Sequence, residues 1–268
     1  MACVHAMGGM GYQGNGLVQG NAAPASGGAA GLTAKVLAGR AAAAALSGPA
    51  VTAGQWVYRR WAVVATPDNA ASPVTAEGWA TADNTTAAAF IGGQLEVGPW
   101  AWPLTPAGGS ARRPRDQPAI SYSSLGSLPA RPRALVRLLA RTPVRRARAW
   151  HAGHAFELIA ELLQSYVMPA EPAARIYRAL GAIRGVTADQ GARDVAGRHG
   201  AGFLLTGTGG DQEIIVDPHT CQFWGYQFLG SGQDIHAGGA WGMTTLHQAF
   251  VPGPGVRPEG NLGPAKPA

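Results

Sequence analysis

The chain has 268 residues, of which 39 are Gly and 20 are Pro, and its 21 basic and 15 acidic side chains give a formal net charge of +6. Only 13% of the residues are charged, whereas a soluble domain usually has about 25%. The most apolar window, residues 41–51, is much shorter than the ~20 apolar residues of a membrane-spanning helix, and the first residues do not resemble a secretory signal. This composition excludes a long transmembrane helix, and Cys3 and Cys221 predict no disulfide framework.

The two ends of the chain predict little fixed structure. Residues 1–31 are rich in Gly and Ala and have few large apolar side chains, so we expect a disordered tail. The segment LTAKVLAGRAAAAAL consists of strong helix formers, and we predict a helix and a linker over residues 32–54. Proline and glycine dominate again beyond Phe250, which predicts a second disordered tail over residues 251–268.

The first strand is predicted over residues 55–66, because QWVYRRWAVVAT is dense in aromatic and β-branched residues. Residues 74–97 predict two weaker strands, TAEGWATA and AAAFIGGQLEV, which are divided at Asp83 and Asn84. Residues 98–117 contain four prolines and three glycines and are predicted to form a loop.

Three helices follow, over residues 128–141, 155–166 and 172–185. Apolar residues recur in them at intervals of three and four, the spacing of a half-buried helix. Strands are then predicted over residues 186–194, 201–206, 212–217 and 222–229. Short turns between successive strands indicate antiparallel pairing.

These elements predict an α+β fold in a single domain over residues 55–250. We expect a curved, half-barrel-like antiparallel sheet, formed by residues 55–97 and 186–250, with about three helices packed on one face. Alternation along the last of these strands would place Trp224, Tyr226 and Phe228 on the same face.

Four segments carry a resemblance to known proteins: QWVYRRW, AFELIAELL with AARIYRALGAIRGV, ARDVAGRHG and IIVDPHTCQFWGYQ. They resemble an uncharacterised actinobacterial family of envelope-associated proteins that are often encoded beside sigma factors, and the likeness covers about residues 32–250. The resemblance implies a membrane-anchored, extracytoplasmic domain, but this sequence shows no membrane span before residue 55, so the compartment stays open. The predicted fold is also similar to that of periplasmic lipoprotein carriers (LolA/LppX-like), which hold acyl chains between sheet and helices.

No motif in the sequence predicts catalysis, a cofactor or a metal. His151 with His154, and His219 with Cys221, lack further ligands at a spacing typical of zinc sites. The glycines of residues 207–210 precede a strand instead of a helix, so they indicate a hairpin and not a phosphate loop. A Gly-x-Ser-x-Gly elbow is missing from the sequence. We therefore expect a protein that is not an enzyme.

Ten arginines and one acid, Asp116, lie between Arg112 and Arg148. Such a run is typical of an anionic membrane surface or a nucleic-acid surface, and equally of a solvated face in an arginine-biased chain. No motif of a known nucleic-acid-binding module accompanies it. We therefore predict no specific nucleic acid and retain an anionic membrane surface as a candidate partner.

Six aromatic residues form the candidate ligand-binding set, namely Trp56, Trp61, Trp79, Trp224, Tyr226 and Phe228. They fit a hydrophobic core, or the lining of a cavity for an apolar small molecule or lipid. Two functions follow as hypotheses. The first is a non-enzymatic, envelope-associated binding protein with such a ligand between sheet and helices. The second is a regulatory protein-interaction domain linked to a sigma-factor system, which predicts a filled core and an exposed apolar patch.

Overall fold

The computed structural model describes residues 32–65, 73–99, 119–142, 151–207, 210–229 and 241–259. The predicted tail over residues 1–31 lies outside the described residues. Within the described ranges, nine strands form one sheet: β1 Trp56–Ala65, β2 Val74–Thr81, β3 Thr86–Ile91, β4 Gln94–Pro99, β5 Val186–Asp189, β6 Ala201–Leu205, β7 Asp211–Val216, β8 Phe223–Leu229 and β9 Trp241–Phe250. The order is β4-β3-β2-β1-β9-β8-β7-β6-β5, and each strand is antiparallel to its neighbours. The prediction of an antiparallel α+β fold is confirmed, and the sheet is open, with β4 and β5 at its edges.

The described residues contain five helices: α1 Ala34–Leu46, a 3-10 helix Tyr122–Ser127, α2 Pro132–Arg141, α3 His151–Ser165 and α4 Ala170–Leu180. The expectation of about three helices was therefore too low. The alanines of α1 allow it to lie close against the end of α4, where a Cβ added at Gly181 would be 2.6 Å from the Cβ of Ala38. The 3-10 helix is too short to show a helical apolar spacing in the sequence.

The main hydrophobic core lies between the helices and strands β6 to β8. Phe156 and Ile159 of α3 and Phe203 and Ile214 of the sheet are all fully buried in it. Arg59 of β1 reaches the same side and donates from Nη1 to the carbonyl of Gln164 at 2.7 Å, at the C-terminal end of α3. This side of the sheet is called the helix face below.

The opposite side, called the second face, is covered by irregular chain. Residues 190–200 fold over β6 to β9, so that Ala192 is buried and Val195 contacts Gly242. Residues 251–259 cross β1 to β3, where the indole Nε1 of Trp79 donates to the carbonyl of Val256 at 2.6 Å. The sequence predicts an unstructured tail over residues 251–268, whereas the structure places residues 251–259 against the sheet, where Trp79 binds them. Residues 260–268 lie outside the described residues.

The segment AAAFIGGQLEV forms a hairpin, although the sequence predicts one weak strand there. Gly92 and Gly93 have φ values of +58° and +84°, and they connect β3 to β4 in a tight turn. Two consecutive positive φ angles are typical of the type I′ turn that matches the twist of a hairpin. The consequence is an additional strand at the edge of the sheet.

The prediction that Trp224, Tyr226 and Phe228 share one face is wrong because β8 contains a β-bulge. Ile215 pairs with Gly225 and Val216 pairs with Phe223, so Trp224 is the extra residue. Tyr226 contacts Phe156 on the helix face. Trp224 lies on the second face, below the guanidinium of Arg198. A bulge shifts the alternation by one residue, which a period-two pattern does not reveal.

Replacement of Gly225 by Ala should destabilise the protein by at least about 2 kcal/mol, since overpacking against rigid backbone cannot relax. A Cβ at Gly225 would overlap the carbonyl oxygen of Met243 and lie 2.8 Å from the Cα of Thr244, both in β9. Gly98→Ala is the control, because a Cβ there meets no atom within 4 Å among the described residues. Urea unfolding of both variants measures the difference, and equal midpoints would contradict this close approach of strands.

Candidate functional site

The structure divides the six predicted aromatic residues between the two faces of the sheet. Those on the helix face are Trp61, Tyr226 and Phe228, and those on the second face are Trp56, Trp79 and Trp224. On the helix face, Tyr226 contacts Phe156 and Trp241 at ring-centroid distances of 6.5 and 5.7 Å. The sheet separates the two groups, so the six side chains do not line a common cavity.

On the second face, Trp79 belongs to a small hydrophobic core. It is fully buried with Tyr58, at a ring-centroid distance of 5.5 Å, and Trp56 packs against the same cluster. Tyr58 donates from its hydroxyl to Glu77 at 2.7 Å. These contacts are those of packed core residues, and they leave the indole of Trp79 no surface for a ligand.

A cavity of about 470 Å³ opens beside the turn between β2 and β3. Its lining consists of Ala53, Asp83, Asn84, Thr85, Ser121, Tyr122, Ser123 and Tyr166. None of the six predicted aromatic residues belongs to this lining. Its lining combines Ala53 and two tyrosine rings with the polar side chains of the turn and of two serines.

The segment ARDVAGRHG is anchored to the second face by a buried ion pair. Asp194 accepts from Arg198 Nε at 2.7 Å and from the hydroxyl of Thr244 at 2.9 Å. Arg198 also donates to the carbonyl of Thr245 at 2.8 Å, and its guanidinium lies 4.1 Å from the ring centroid of Trp224. All of these groups are engaged with one another, so their role is structural.

A second buried carboxyl group lies under the same segment. Glu213 is only 3% exposed, and its Oε2 accepts a hydrogen bond from the side-chain amide of Gln227 at 2.7 Å. Its Oε1 has no hydrogen-bond partner among the described residues. Burial raises the pKa of Glu213 to about 7; the nearby Asp189 carboxyl adds to this shift and the bond from Gln227 opposes it. Glu213 therefore gains a proton near neutral pH.

Glu213→Gln should flatten the pH dependence of stability. The folded-state pKa of about 7 exceeds the ordinary 4.5, so this group stabilises the fold fully below pH 4.5, and that stabilisation is lost as pH rises to 7. The loss amounts to about 3 kcal/mol in the wild type, and the neutral glutamine avoids it. Urea unfolding at pH 5 and pH 8 measures the slope, with the exposed Glu96→Gln as control. A variant that keeps the wild-type slope would refute the assignment.

Four of the ten clustered arginines lie in the described part of the chain, at or within α2: Arg131, Arg133, Arg137 and Arg141. All four are exposed, and none forms an ion pair with another described residue. The last three follow one another at intervals of four residues, while Leu135 and Leu139 are buried on the other side of the helix. The remaining arginines of the run lie outside the described residues.

The histidines and cysteines considered as metal ligands have other surroundings. His154 Nε2 is 2.6 Å from the carbonyl of Thr142, and His219 lies in the exposed turn after β7. Cys221 is buried and free, whereas Cys3 lies outside the described residues. Within the described ranges, His, Cys, Asp and Glu side chains do not gather in any group of three that could hold a metal ion.

Several exposed apolar side chains lie together at the β3–β4 hairpin. Phe90, Leu95, Val97 and Val256 are 48%, 37%, 52% and 44% exposed, and we call them the edge strip. The first three point to the second face, where Phe90 contacts Trp79 and where Gly255 lies against Leu95. The sequence analysis missed this strip, although a Gly-Gly pair between alternating apolar residues is a signal for a hairpin.

No known protein family, curated protein or solved structure matches this chain. The resemblance to the envelope-associated family, and the likeness to lipoprotein carriers, therefore stay predictions. Among the described helices, none has the length and hydrophobicity needed to cross a bilayer.

Proposed function

We propose that the protein is a non-enzymatic interaction module that binds an extended segment of a partner protein along strand β4. The observation that carries this proposal is the free edge of β4 beside the edge strip. β4 pairs with β3 on one side and with no described strand on the other. An edge strand offers unpaired N–H and C=O groups, which can bind a further strand.

The edge of β4 lacks most features by which proteins prevent such pairing. Natural edge strands are usually short, bulged or rich in lysine and proline. β4 has six residues in continuous register with β3, and its only proline, Pro99, is the last of them. Leu95 and Val97 are exposed beside it. Exposed apolar groups of this kind are typical of surfaces that become covered by a partner.

The alternative function, a carrier of an apolar ligand, has less support. It needs a cavity between sheet and helices, whereas large side chains such as Phe156, Phe203 and Leu162 are fully buried there. This alternative also depends on two predictions about the sheet. One is that the sheet is curved like half a barrel, and the other is that all helices pack on one face of it. Saturable binding of a fluorescent fatty acid would favour it over the interaction module.

Charge favours a different partner over a second copy of this chain. Suppose that two copies of the chain paired through antiparallel β4 strands, with Leu95 of one copy opposite Val97 of the other. The two Glu96 side chains would then lie opposite each other. Like charges directly opposite each other destabilise a strand pair. A fitting partner therefore has aliphatic side chains on one face of its strand and a basic side chain on the other. A component of a sigma-factor system is the class of partner that the family resemblance implies.

The test uses two synthetic hexapeptides, TVKVKV and TVEVEV, with binding followed by NMR shifts of the backbone amides of residues 94–98. We expect the lysine peptide to bind about threefold to tenfold more tightly, because it complements Glu96. Val97→Lys should abolish binding without loss of stability, since Val97 is exposed. Val36→Lys, at an exposed position of α1, is the matched control.

Two results would contradict the proposal. Equal binding by the Val97→Lys variant would show that the peptide lies elsewhere. A wild-type protein that is dimeric in gel filtration, and becomes monomeric on Val97→Lys, would show that a second copy covers β4.

The arginines of α2 support a second, weaker interaction with an anionic membrane surface. Arg133, Arg137 and Arg141 form an exposed basic row with the partly exposed Leu138 beside it. Basic residues next to anionic lipid contribute about 1 kcal/mol each at low salt. The row would therefore contribute about 3 kcal/mol to a salt-sensitive contact of this helix with the membrane surface.

Replacing these three arginines by glutamine should weaken binding to phosphatidylserine-containing vesicles by about 100-fold at low salt. Vesicle co-sedimentation measures the effect. A triple variant of Arg178, Arg184 and Arg193 to glutamine removes the same charge from other exposed positions. Equal losses in both triple variants would mean that net charge alone is responsible.

A further inference from the structure

We infer that the cavity beside the β2–β3 turn binds a small organic cation, a ligand that presents a protonated amine to Asp83 and Asn84. Its volume of about 470 Å³ lies within the range of ligand pockets in proteins. The cavity is formed by the turn, by residue Ala53 and by the segment around the 3-10 helix.

Asn84 provides the first argument. The residue is only 6% exposed, and it lines the cavity. Its side-chain amide makes no hydrogen bond to any described residue. The amide atoms are not enclosed by protein, so they can reach a molecule in the cavity and bind it. Asn84 also has a φ of +57°, a left-handed conformation that asparagine tolerates better than most residues.

Asp83 supplies the charge. Its Oδ1 accepts from the backbone N–H of Thr85 at 3.2 Å and from the hydroxyl of Thr85 at 3.0 Å. Its Oδ2 has no hydrogen-bond partner in the described part of the chain. Among the described lining residues, Asp83 is the only acidic side chain and none is basic. These residues therefore give the cavity a negative side chain within a chain whose formal net charge is +6.

Two aromatic rings complete the environment. Tyr122 and Tyr166 meet edge to face, with ring centroids 5.5 Å apart. Burial raises the pKa of both phenols, that of Tyr166 to about 12, so both are neutral at physiological pH. The Tyr166 hydroxyl donates to the carbonyl of Ile120 at 3.1 Å, which fixes its ring. Aromatic faces attract cations within about 6 Å. The two tyrosine rings and the carboxylate of Asp83 therefore both favour a positively charged ligand.

The test compares butane-1,4-diamine with butane-1,4-diol, which has the same chain length and no charge. We expect the diamine to bind with a dissociation constant on the order of 1 mM and to shift the NMR signals of Asp83, Asn84 and Thr85, whereas the diol does not. A third probe, Nα-acetyl-lysine methylamide, distinguishes the sources. If it binds as tightly as the diamine, a basic side chain of a polypeptide is the ligand; if only the diamine binds, a free amine is.

Two variants locate the binding. Asp83→Asn keeps the acceptor for Thr85 and should weaken diamine binding at least about tenfold. Asn84→Gly removes the carboxamide at a position whose φ suits glycine and should also weaken it. Asp211→Asn removes the same charge at the start of β7, outside the lining, and should leave binding unchanged. Equal shifts by diamine and diol, or unchanged binding in Asp83→Asn, would overturn the inference.

Discussion

The ion pair between Asp194 and Arg198 holds the second face of the sheet together. The Asp194 side chain is 1% exposed, and besides Arg198 it binds the hydroxyl of Thr244 in β9. Removal of Arg198, whose side chain is 32% exposed, would leave the Asp194 charge buried without its ion-pair partner, which destabilises a fold. The pair fixes residues 190–200 over Glu213, and it sets Arg198 on Trp224 at the bulge of β8.

The two faces of the sheet are covered by different means, and this difference determines where a surface is left open. Helices with continuous apolar sides fill the helix face. On the second face, residues 190–200 and 251–259 cover only part of the sheet, because each is a single irregular segment. Residues 251–259 contact the hairpin of β3 and β4 at Leu95 without enclosing its side chains. Its apolar residues are therefore exposed, although they continue the row that begins with the buried Trp79.

The elements that the sequence predicts well are those that local patterns determine. Helices α3 and α4 follow from apolar spacing, and strands β6 to β8 follow from the turns between them. The bulge at Trp224 and the binding of Val256 by Trp79 depend on contacts between distant segments, which periodicity does not show. The Gly-Gly pair could have predicted the β3–β4 hairpin, but the position of β4 at an edge depends on the pairing of β1 with β9, which a local pattern does not show. The cavity at Asn84 likewise requires four segments to meet, around residues 53, 84, 122 and 166.

The pairing of β1 with β9 also has a consequence for biosynthesis. Val57 lies opposite Phe250 in the sheet, so β1 pairs with β9, the first of the described strands with the last. Contacts between residues so far apart in sequence slow folding, because a long loop must close before they form. A chain still on the ribosome exposes this edge of β1 until β9 has been synthesised, and during that time the strand is open to aggregation or to a chaperone.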